Sequence, residues 1–530
     1  MQLKFRKRII SLFTCAAVAM SCSTMSGFAA FADDGADAEQ RAYVTESSWE
    51  MTVPQIYVYT DGGNGTELQK DEGYQGAKIF IKDTDGSMLT DDCVFKVRGN
   101  TTALSWVKKK AYTFKFGKKK DVLGMGKGKK WALIANAFDP TMLRNYTVFT
   151  LAKELGLTYT SNFKPVELWV DDSFRGFYFL FEPVQEGKDR VDIDIESNDG
   201  KKDFLIEYEA QREEEDVTYF TTNGLRFISS EPEDPTDEQL AYIKDTMDDI
   251  VKRIRSGSRG ETEEKIDVES FAKFYLLNEY AKTFDFSVSS VFFYYKDGKL
   301  YAGPPWDYDL SLGNANQDFS SRGKGASETE NLFCNSKNLY RFLCKNQWFI
   351  DEVRAVYLKN YNLFESVSAD GGILDTAKES YSLEISRNYK EAGWFAGKWW
   401  INIMMKPFTT FDQNYDYLKD WCEKRNTWLS NSYDVAFLNG DSNADLAVNI
   451  EDVTLIQRSL AEFEMPNPES VKMRGDVNGD GRLDIADATA IQRYISEAEN
   501  TGSVGEKVVA KAPGSEEAQE PQQSPVNENI

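Results

Sequence analysis

The sequence predicts an α+β domain followed by a small all-α module. Three observations predict it. Short β-patterned runs with few helices occupy residues 43–310, and a largely helical stretch runs from Asn314 to about residue 437. Residues 440–463 and 475–498 then repeat each other at an offset of 35. Strands, a helix, strands and then helices is the order of an α+β chain. At 530 residues the chain is long enough for two or three domains, and its 41% hydrophobic content supplies a sizeable core.

Residues 1–32 read as a secretory signal peptide. Lys4, Arg6, Lys7 and Arg8 make a basic start, Ile9 to Met20 an apolar run, and Ala30-Phe31-Ala32 a small-residue cleavage site. Cys22 offers a lipoprotein reading, which Ala19-Met20-Ser21 fits poorly. No other stretch is long and apolar enough to span a membrane, so an exported, soluble protein is expected. Losing the four basic leader residues takes the formal net charge from −24 to −28. That balance argues against nucleic-acid binding and for cation-binding sites.

The chain contains no histidine. Ser-His-Asp and Cys-His catalysis and the usual zinc hydrolase sites are thereby excluded. Carboxylate, Lys, Arg, Tyr and Ser chemistry remains, which glycosidases and phosphotransferases both use. Cys93, Cys334, Cys344 and Cys422 follow the leader without metal spacing. Cys334 and Cys344 could pair, and free buried thiols are the equal alternative.

From Tyr43 to Lys130 the pattern is β-rich, with alternation at Ala77–Lys82 and Cys93–Arg98. In KKKAYTFKFGKKK, Tyr112, Phe114 and Phe116 share one strand face at period two. The surrounding lysines suit a solvated outer face, although one inward-pointing lysine would suffice for a polyphosphate. Trp131–Asn136 is a strand, and Asp139-Pro140 opens a helix that Gly156 stops. Val166–Val170 with Phe177–Phe181 forms a hairpin, and Phe204–Tyr208 is a strand. Glu238–Arg255 and Phe271–Lys282 are helices, the second capped by the run from Asp267 to Ser270. Beyond Asn314, Leu418, Trp421, Cys422, Arg425, Trp428 and Leu429 have the spacing of a closing helix. Trp394, Trp399 and Trp400 suit either a sugar-stacking platform or, more commonly, core.

The most informative stretch is Phe284 to Asn314. Val291–Lys296 and Leu300–Ala302 flank Asp297-Gly298, a hairpin signal. Asp285 precedes the hairpin, and Asp307 and Asp309 follow it. Carboxylates so placed can gather around one Mg²⁺, whose shell substrate phosphates complete in phosphoryl transfer. The same Asp pair would also serve simply to cap a turn.

The repeat is explicit. In the second copy Asp476, Asn478, Asp480, Asp484 and Asp487 fall at positions 1, 3, 5, 9 and 12 of an EF-hand loop. Gly481 takes the sharp turn, and Arg482 offers its carbonyl at position 7. The first copy supplies Asp441, Asn443, Asp445, Asn449 and Asp452, with the Ala447 carbonyl at position 7. Leu446 stands where glycine is wanted, so this loop is expected to be more strained or to bind more weakly. Two Ca²⁺ sites follow, each leading into an amphipathic segment (Val453–Phe463 and Ala488–Ser496).

This duplicated loop and helix resembles a type I dockerin, over residues 438–498. The resemblance implies Ca²⁺ binding and docking onto a scaffoldin cohesin module of a cellulosome-type assembly. It puts cohesin contacts near Ile450, Glu451, Ile485 and Ala486. The tail 499–530, rich in Pro, Gln, Glu and Ser, is expected to be disordered.

Residues of about 50–435 resemble the spore-coat protein H (CotH) kinase family. The carrying features are Arg98-Gly99-Asn100 followed by Lys109-Lys110-Ala111-Tyr112, Leu143-Arg144-Asn145 after Trp131, and Gly176-Phe177-Tyr178 leading to Glu182. They continue with Asp285 before the aromatic hairpin and Pro305-Trp306-Asp307-Tyr308-Asp309. The resemblance implies a two-lobed, atypical protein-kinase-like fold over 33–437 that transfers phosphate from ATP to protein Ser. By position, Asp285 corresponds to the catalytic base, Asp307 to the metal-binding Asp and Asp309 to a second ligand. Lys110, then Lys115, is the phosphate-pairing candidate, and Glu182 begins the hinge. Ser290 stands where an asparagine ligand of Mg²⁺ is found in coat-protein members. Two other readings stay open, a non-catalytic binding component and a carbohydrate-active enzyme of polysaccharide degradation. Against the latter, Asp307 and Asp309 are closer in sequence than the ~5–9 Å carboxyl separation across a sugar suggests.

Overall fold

The computed structural model describes residues 43, 45, 47–196, 202–211, 213, 217–315, 325–394, 408–498 and 503–510. The leader, Trp399, Trp400 and most of the tail lie outside the described residues. Seven strands close into a barrel. They are β1 (Gln55–Thr60), β2 (Gln75–Lys82), β3 (Met88–Arg98), β4 (Ala111–Asp121), β5 (Lys127–Ile134), β6 (Phe163–Val170) and β7 (Ser173–Phe181). The order is β1-β2-β3-β4-β5-β7-β6, and β1 pairs in parallel with β6 to complete the ring. All other neighbours are antiparallel. Closure removes the exposed edges that a sheet of this length would otherwise present.

The period-two alternation decides which residues face the barrel interior. Phe95 and Val97 of β3, Tyr112, Phe114 and Phe116 of β4, and Trp131 and Leu133 of β5 fill it. Their alternates Lys96, Arg98, Ala111, Thr113, Lys130, Ala132 and Ile134 face the other way, toward a cavity. The Phe177–Phe181 part of β7 has no polar alternates because both its faces are covered. Tyr178 and Leu180 join the barrel core, whereas Phe177, Phe179 and Phe181 join a second core built from the helices.

That second core is shared with a five-stranded sheet. It comprises β8 (Phe204–Tyr208), β9 (Tyr219–Thr222), β10 (Leu225–Glu231), β11 (Val291–Lys296) and β12 (Lys299–Ala302), ordered β12-β11-β8-β10-β9. The expected β11–β12 hairpin is present. Asp297 and Gly298 form its two-residue turn, both at positive φ (50° and 88°), as the strand twist requires.

The helices are α1 (Arg144–Glu154), α2 (Asp237–Ser256), α3 (Arg259–Glu263), α4 (Val268–Ala281), α5 (Tyr340–Leu343), α6 (Gln347–Lys359), α7 (Tyr361–Glu365), α8 (Ile373–Ser380), α9 (Ser382–Lys390) and α10 (Phe411–Ser432). The first starts at Arg144 rather than at Asp139-Pro140. Asp139 instead holds the turn before it, accepting from the Thr141 and Arg144 N–H groups. Helix α10 is the predicted closing helix, and a buried ion pair anchors it. The Glu279 carboxylate of α4 accepts from Arg425 at 2.9 Å and from the Phe333 and Cys334 N–H groups at 2.7 and 2.8 Å. Both ionised side chains are fully buried, and Arg425 also donates to the Thr329 and Asn331 carbonyls.

Cys93, Cys334, Cys344 and Cys422 are all free thiols, so Cys334 and Cys344 are unpaired. Trp394 is buried, its Nε1–H donating to the Arg175 carbonyl at 2.6 Å, and serves the core rather than a platform. The duplicated module contributes α11 (Ile450–Leu460), α12 (Pro468–Gly475) and α13 (Ile485–Ile495). Its ends are tied by β13 (Ala436–Leu438) and β14 (Lys507–Val509), paired antiparallel. The expectation of a disordered tail from residue 499 is therefore corrected for residues 503–510. Lys507 caps the pairing by bonding Glu365 at 2.6 Å, and Val504 is buried in the module's core.

Removing one partner of a buried, hydrogen-bonded ion pair strands the other charge, a loss of about 3–5 kcal/mol. Arg425→Ala is expected to shift the urea midpoint down by that equivalent, and Glu279→Ala by a similar amount. Chemical denaturation followed by tryptophan fluorescence checks this.

Candidate functional site

The cavity of about 830 Å³ lies between the outer face of β3–β5 and the five-stranded sheet, with the loops at 283–290 and 304–310 along one side. Asp285, Ser290, Asp307 and Asp309 all line it. Residues more than twenty positions apart in sequence thus meet in one place, and the backbone shows how. The Phe284 N–H donates to the Leu310 carbonyl at 3.0 Å, and the Leu312 N–H to the Ala281 carbonyl at 2.7 Å. Asp285 sits in a single 3-10 turn, its carbonyl accepting from the Val288 and Ser289 N–H groups.

The loop that carries Asp307 and Asp309 is held from α1. Asn145 Oδ1 accepts from the Tyr308 N–H at 2.9 Å, and Arg144 Nε donates to the Ser311 carbonyl at 3.0 Å. Arg144 is itself paired with buried Asp139 at 2.5 Å. Asn314 completes the clamp, donating to the Phe138 and Asp309 carbonyls. Asp307 (φ 64°), Ser290 (φ 61°) and Asn136 (φ 48°), all lining the cavity, adopt left-handed backbone. Non-glycine residues are uncommon there and cluster where structure over-determines them.

The electrostatics divide the cavity into two walls. Burial pushes the Asp309 carboxyl well above the usual range, and the charges of Asp307, Asp285 and Asp139 push it further. Opposite lie Arg98, Lys96 and Lys130. Burial lowers Arg98 while the Asp307 charge opposes that shift. Burial likewise lowers Lys130, with Glu233 opposing. Arg98 also stacks over the Trp306 ring at 5.2 Å, bridging the barrel wall and the Asp loop.

Three sequence-based candidates fall elsewhere. Lys110 shares parity with Tyr112 and Phe114, so it does not line the cavity. Its buried Nζ instead satisfies the Ala103 and Leu104 carbonyls at 2.9 and 2.6 Å. Lys115 has the cavity's parity but is exposed and not among the lining residues. The Glu182 carboxylate accepts from the Asn162 N–H at 2.9 Å and faces Arg190, while the following Pro183 and Val184 line the cavity. The lysines that do line it are Lys70, Lys96 and Lys130, the last on β5 beside the Asp loop's cationic neighbour Arg98. The alternation of Lys130 with inward Trp131 carried the signal. Glu207 of β8 was also missed. It lines the cavity and accepts from the Ser290 N–H at 2.9 Å, a pairing no local pattern announces.

The two calcium loops are near copies in their hydrogen bonding. Asp441 accepts from the Asp445 and Leu446 N–H groups, and Asp476 from those of Asp480 and Gly481. Asn443 and Asn478 each accept from the N–H two residues on, as do Asp445 to Ala447 and Asp480 to Arg482. Asn449 and Asp484 cap the following helices, and Asp452 and Asp487 return to the Asn449 and Asp484 N–H groups. Every oxygen-bearing side chain named from the sequence therefore lies on its expected loop. Among the described residues, no three acidic or thiol groups are gathered closely enough to hold a metal as they stand. A cation would draw these oxygens in.

The loops differ in setting. Asp441 is fully buried where its counterpart Asp476 is half-buried, and Arg474 of α12 reaches Asp434, Asn431 and the Asp441 carboxylate. Asn431 of α10 donates to the Ala444 carbonyl of the first loop at 2.9 Å. The first loop is thus built onto the large domain.

The CotH kinase protein family matches residues 95–429, and the dockerin type I domain matches residues 439–496. The chain belongs to the CotH kinase protein family and carries a type I dockerin domain at its C-terminal side. No curated protein matches the chain. Type I dockerin domains bind Ca²⁺, imply a cohesin partner and occur in extracellular cellulosome components. Among the described residues no helix is long and apolar enough to cross a membrane.

Leu446 adopts φ 68° where Gly481 adopts 83° in the second loop. A side chain in that region costs about 1–2 kcal/mol relative to glycine. Leu446→Gly is expected to tighten Ca²⁺ binding at the first loop by roughly tenfold, read by calorimetric titration of the calcium-stripped protein.

Proposed function

We propose that the large domain is a two-lobed, protein-kinase-like phosphotransferase that moves the γ-phosphate of ATP to a Ser or Thr hydroxyl of a protein. Its dockerin, loaded with Ca²⁺, anchors it to a scaffoldin cohesin outside the cell. One observation carries the catalytic reading: Asp285, Asp307 and Asp309 converge on a cavity whose opposite wall is cationic. A volume of about 830 Å³ is ample for a nucleotide.

Asp307 and Asp309 are the residues that would hold Mg²⁺, with Ser290 a weaker oxygen nearby. Bound there, the ion would neutralise charge on the phosphate oxygens during transfer. Asp285, in its own turn beside them, would accept the proton of the acceptor hydroxyl. Lys130 and Arg98 would pair with the phosphates; the barrel's alternation favours them over Lys110, and the exposure of Lys115 outside the cavity lining favours them over Lys115. In the dockerin, Asp441, Asn443, Asp445, Asn449 and Asp452 with the Ala447 carbonyl would hold one Ca²⁺. Asp476, Asn478, Asp480, Asp484 and Asp487 with the Arg482 carbonyl would hold the other.

Ser290 favours a second reading, a nucleotide-binding component without turnover. A hydroxyl is a poorer Mg²⁺ ligand than the carboxamide found in coat-protein members, and here the Ser290 backbone is engaged by Glu207.

A ligand that binds only the folded state raises the melting temperature by mass action, so no acceptor need be known. The full chain, at constant Ca²⁺, is expected to melt several degrees higher with millimolar Mg²⁺·ATP. Asp307→Asn should abolish the shift. Lys130→Ala should reduce it, whereas Lys110→Ala should lower the melting temperature itself and leave the shift. No shift in the wild type would sink the kinase reading. A shift without release of ADP toward any tested protein would favour the binding-only reading.

A further inference from the structure

Asn136 closes β5 at the cavity wall and is 1% exposed, with its backbone held at φ 48°. The orientation of its side-chain amide follows from a chain of hydrogen bonds. Tyr308 can offer only its N–H to Asn145, so the atom of Asn145 that meets it, at 2.9 Å, must be the carbonyl oxygen. The other end of Asn145 is then its NH₂, which donates to Asn136 at 2.9 Å. Asn136 must receive that bond through Oδ1. Its own Nδ2 is consequently turned away from Asn145, and it is buried without a hydrogen-bond partner. Flipping the amide would set two NH₂ groups against each other, so the network forbids it.

A buried donor left unmade is costly and is rarely retained without a purpose. This one stands at the wall that also carries Asp307, Asp309 and Asp285, in a left-handed residue clamped by α1. An oxygen acceptor brought in by a ligand would complete it. Arg98 and Lys130, which also line the cavity, are cationic and placed on the barrel face. Asn136 differs in being a neutral, orientation-locked donor close to the carboxylates, where a cation would compete with a bound metal for them.

We propose that Asn136 Nδ2 donates a hydrogen bond to a phosphate oxygen of the ligand that occupies this cavity, making Asn136 a binding residue for the polyphosphate. The assignment rests on the nucleotide reading of the cavity and deepens it. It supplies one fixed donor in a site that has no glycine-rich loop to cradle phosphates.

The test uses the full chain with constant Ca²⁺ and two variants. Asn136→Asp keeps the Oδ1 acceptor for Asn145 and removes the NH₂. Asn136→Gly removes the amide without adding charge, and glycine accepts the positive φ, but the Asn145 NH₂ loses its acceptor, so the apo melting temperature should fall by a few degrees and binding is compared below it. Calorimetric titrations with Mg²⁺·ATP, and with Mg²⁺·tripolyphosphate, should show wild-type binding and a loss of about tenfold or more in both variants. Variants that bind both probes as wild type does would overturn the assignment and leave the nucleotide reading standing. Asn136-dependent binding of Mg²⁺·tripolyphosphate without any binding of Mg²⁺·ATP would uphold the assignment and remove the kinase reading. Binding of neither probe by the wild type would overturn both.

Discussion

The arrangement around the cavity depends on one pair of adjacent residues, Arg144 and Asn145 at the start of α1. Arg144 is buried, so its charge must be met, and Asp139 five residues earlier meets it. That pairing fixes the turn between β5 and α1 and leaves the remaining guanidinium donors to take the Ser311 and Leu312 carbonyls. Asn145 does the same one residue further on, joining Asn136 at the end of β5 to the Tyr308 backbone. The barrel, the first helix and the Asp307–Asp309 loop thereby share one hydrogen-bonded junction. Carboxylates on an unsupported loop would drift apart by mutual repulsion. Here the backbone between them is held by buried groups that are themselves fixed by second partners.

A second junction has the same logic and joins the dockerin to the large domain. Arg474 is fully buried and can be satisfied only by groups from both sides, Asn431 and Asp434 at the end of α10 and Asp441 in the first calcium loop. Arg354 adds bonds to the Tyr433 and Asp434 carbonyls, and β14 returns to pair with β13. These contacts leave little slack at residues 431–441, so the first loop is positioned by the large domain and buries Asp441, while Asp476 of the second loop is only half-buried. Two loops with matching ligand positions are therefore unequal in surroundings. The exposed Ile450 and Ile485, at equivalent places in the two copies, show that the helices after both loops still present apolar surface.

Much of this was legible in the sequence, and the failures have physical causes. The Asp297-Gly298 turn, the aromatic hairpin and the calcium loops depend on local conformation, which local residues determine. The three cavity aspartates were found because their spacing around that hairpin is also local. Barrel closure was not legible, since β1 and β6 pair across more than a hundred residues. Parity keeps Lys110 off the cavity wall, and exposure keeps Lys115 off it. Trp131 and Leu133 point into the barrel, so Lys130 must point out of it, whereas Lys110 keeps step with Tyr112 and needs backbone carbonyls to accept its charge. Glu207 and Asn136 carry no pattern of their own, because what distinguishes them is who sits opposite. The short strand β14 was hidden by a polar, proline-containing tail whose composition outweighed three residues, Lys507-Val508-Val509.

The two walls of the cavity also bear on which chemistry fits. A neutral sugar would need a pair of carboxylates set apart for acid and base work, and it would bring no negative charge to a wall that carries Lys96, Arg98 and Lys130. A free polyphosphate would satisfy those cations while repelling Asp285, Asp307 and Asp309. A free divalent cation would satisfy the aspartates and face the opposite charges across the gap. Only a ligand that is cationic at one end and polyanionic along its length answers both walls, and a metal–polyphosphate is such a ligand. The same reasoning explains why a neutral donor belongs near the carboxylates. A lysine placed there would pair with Asp307 or Asp309 and close the site, whereas an amide can approach a phosphate oxygen without displacing a metal from its carboxylates.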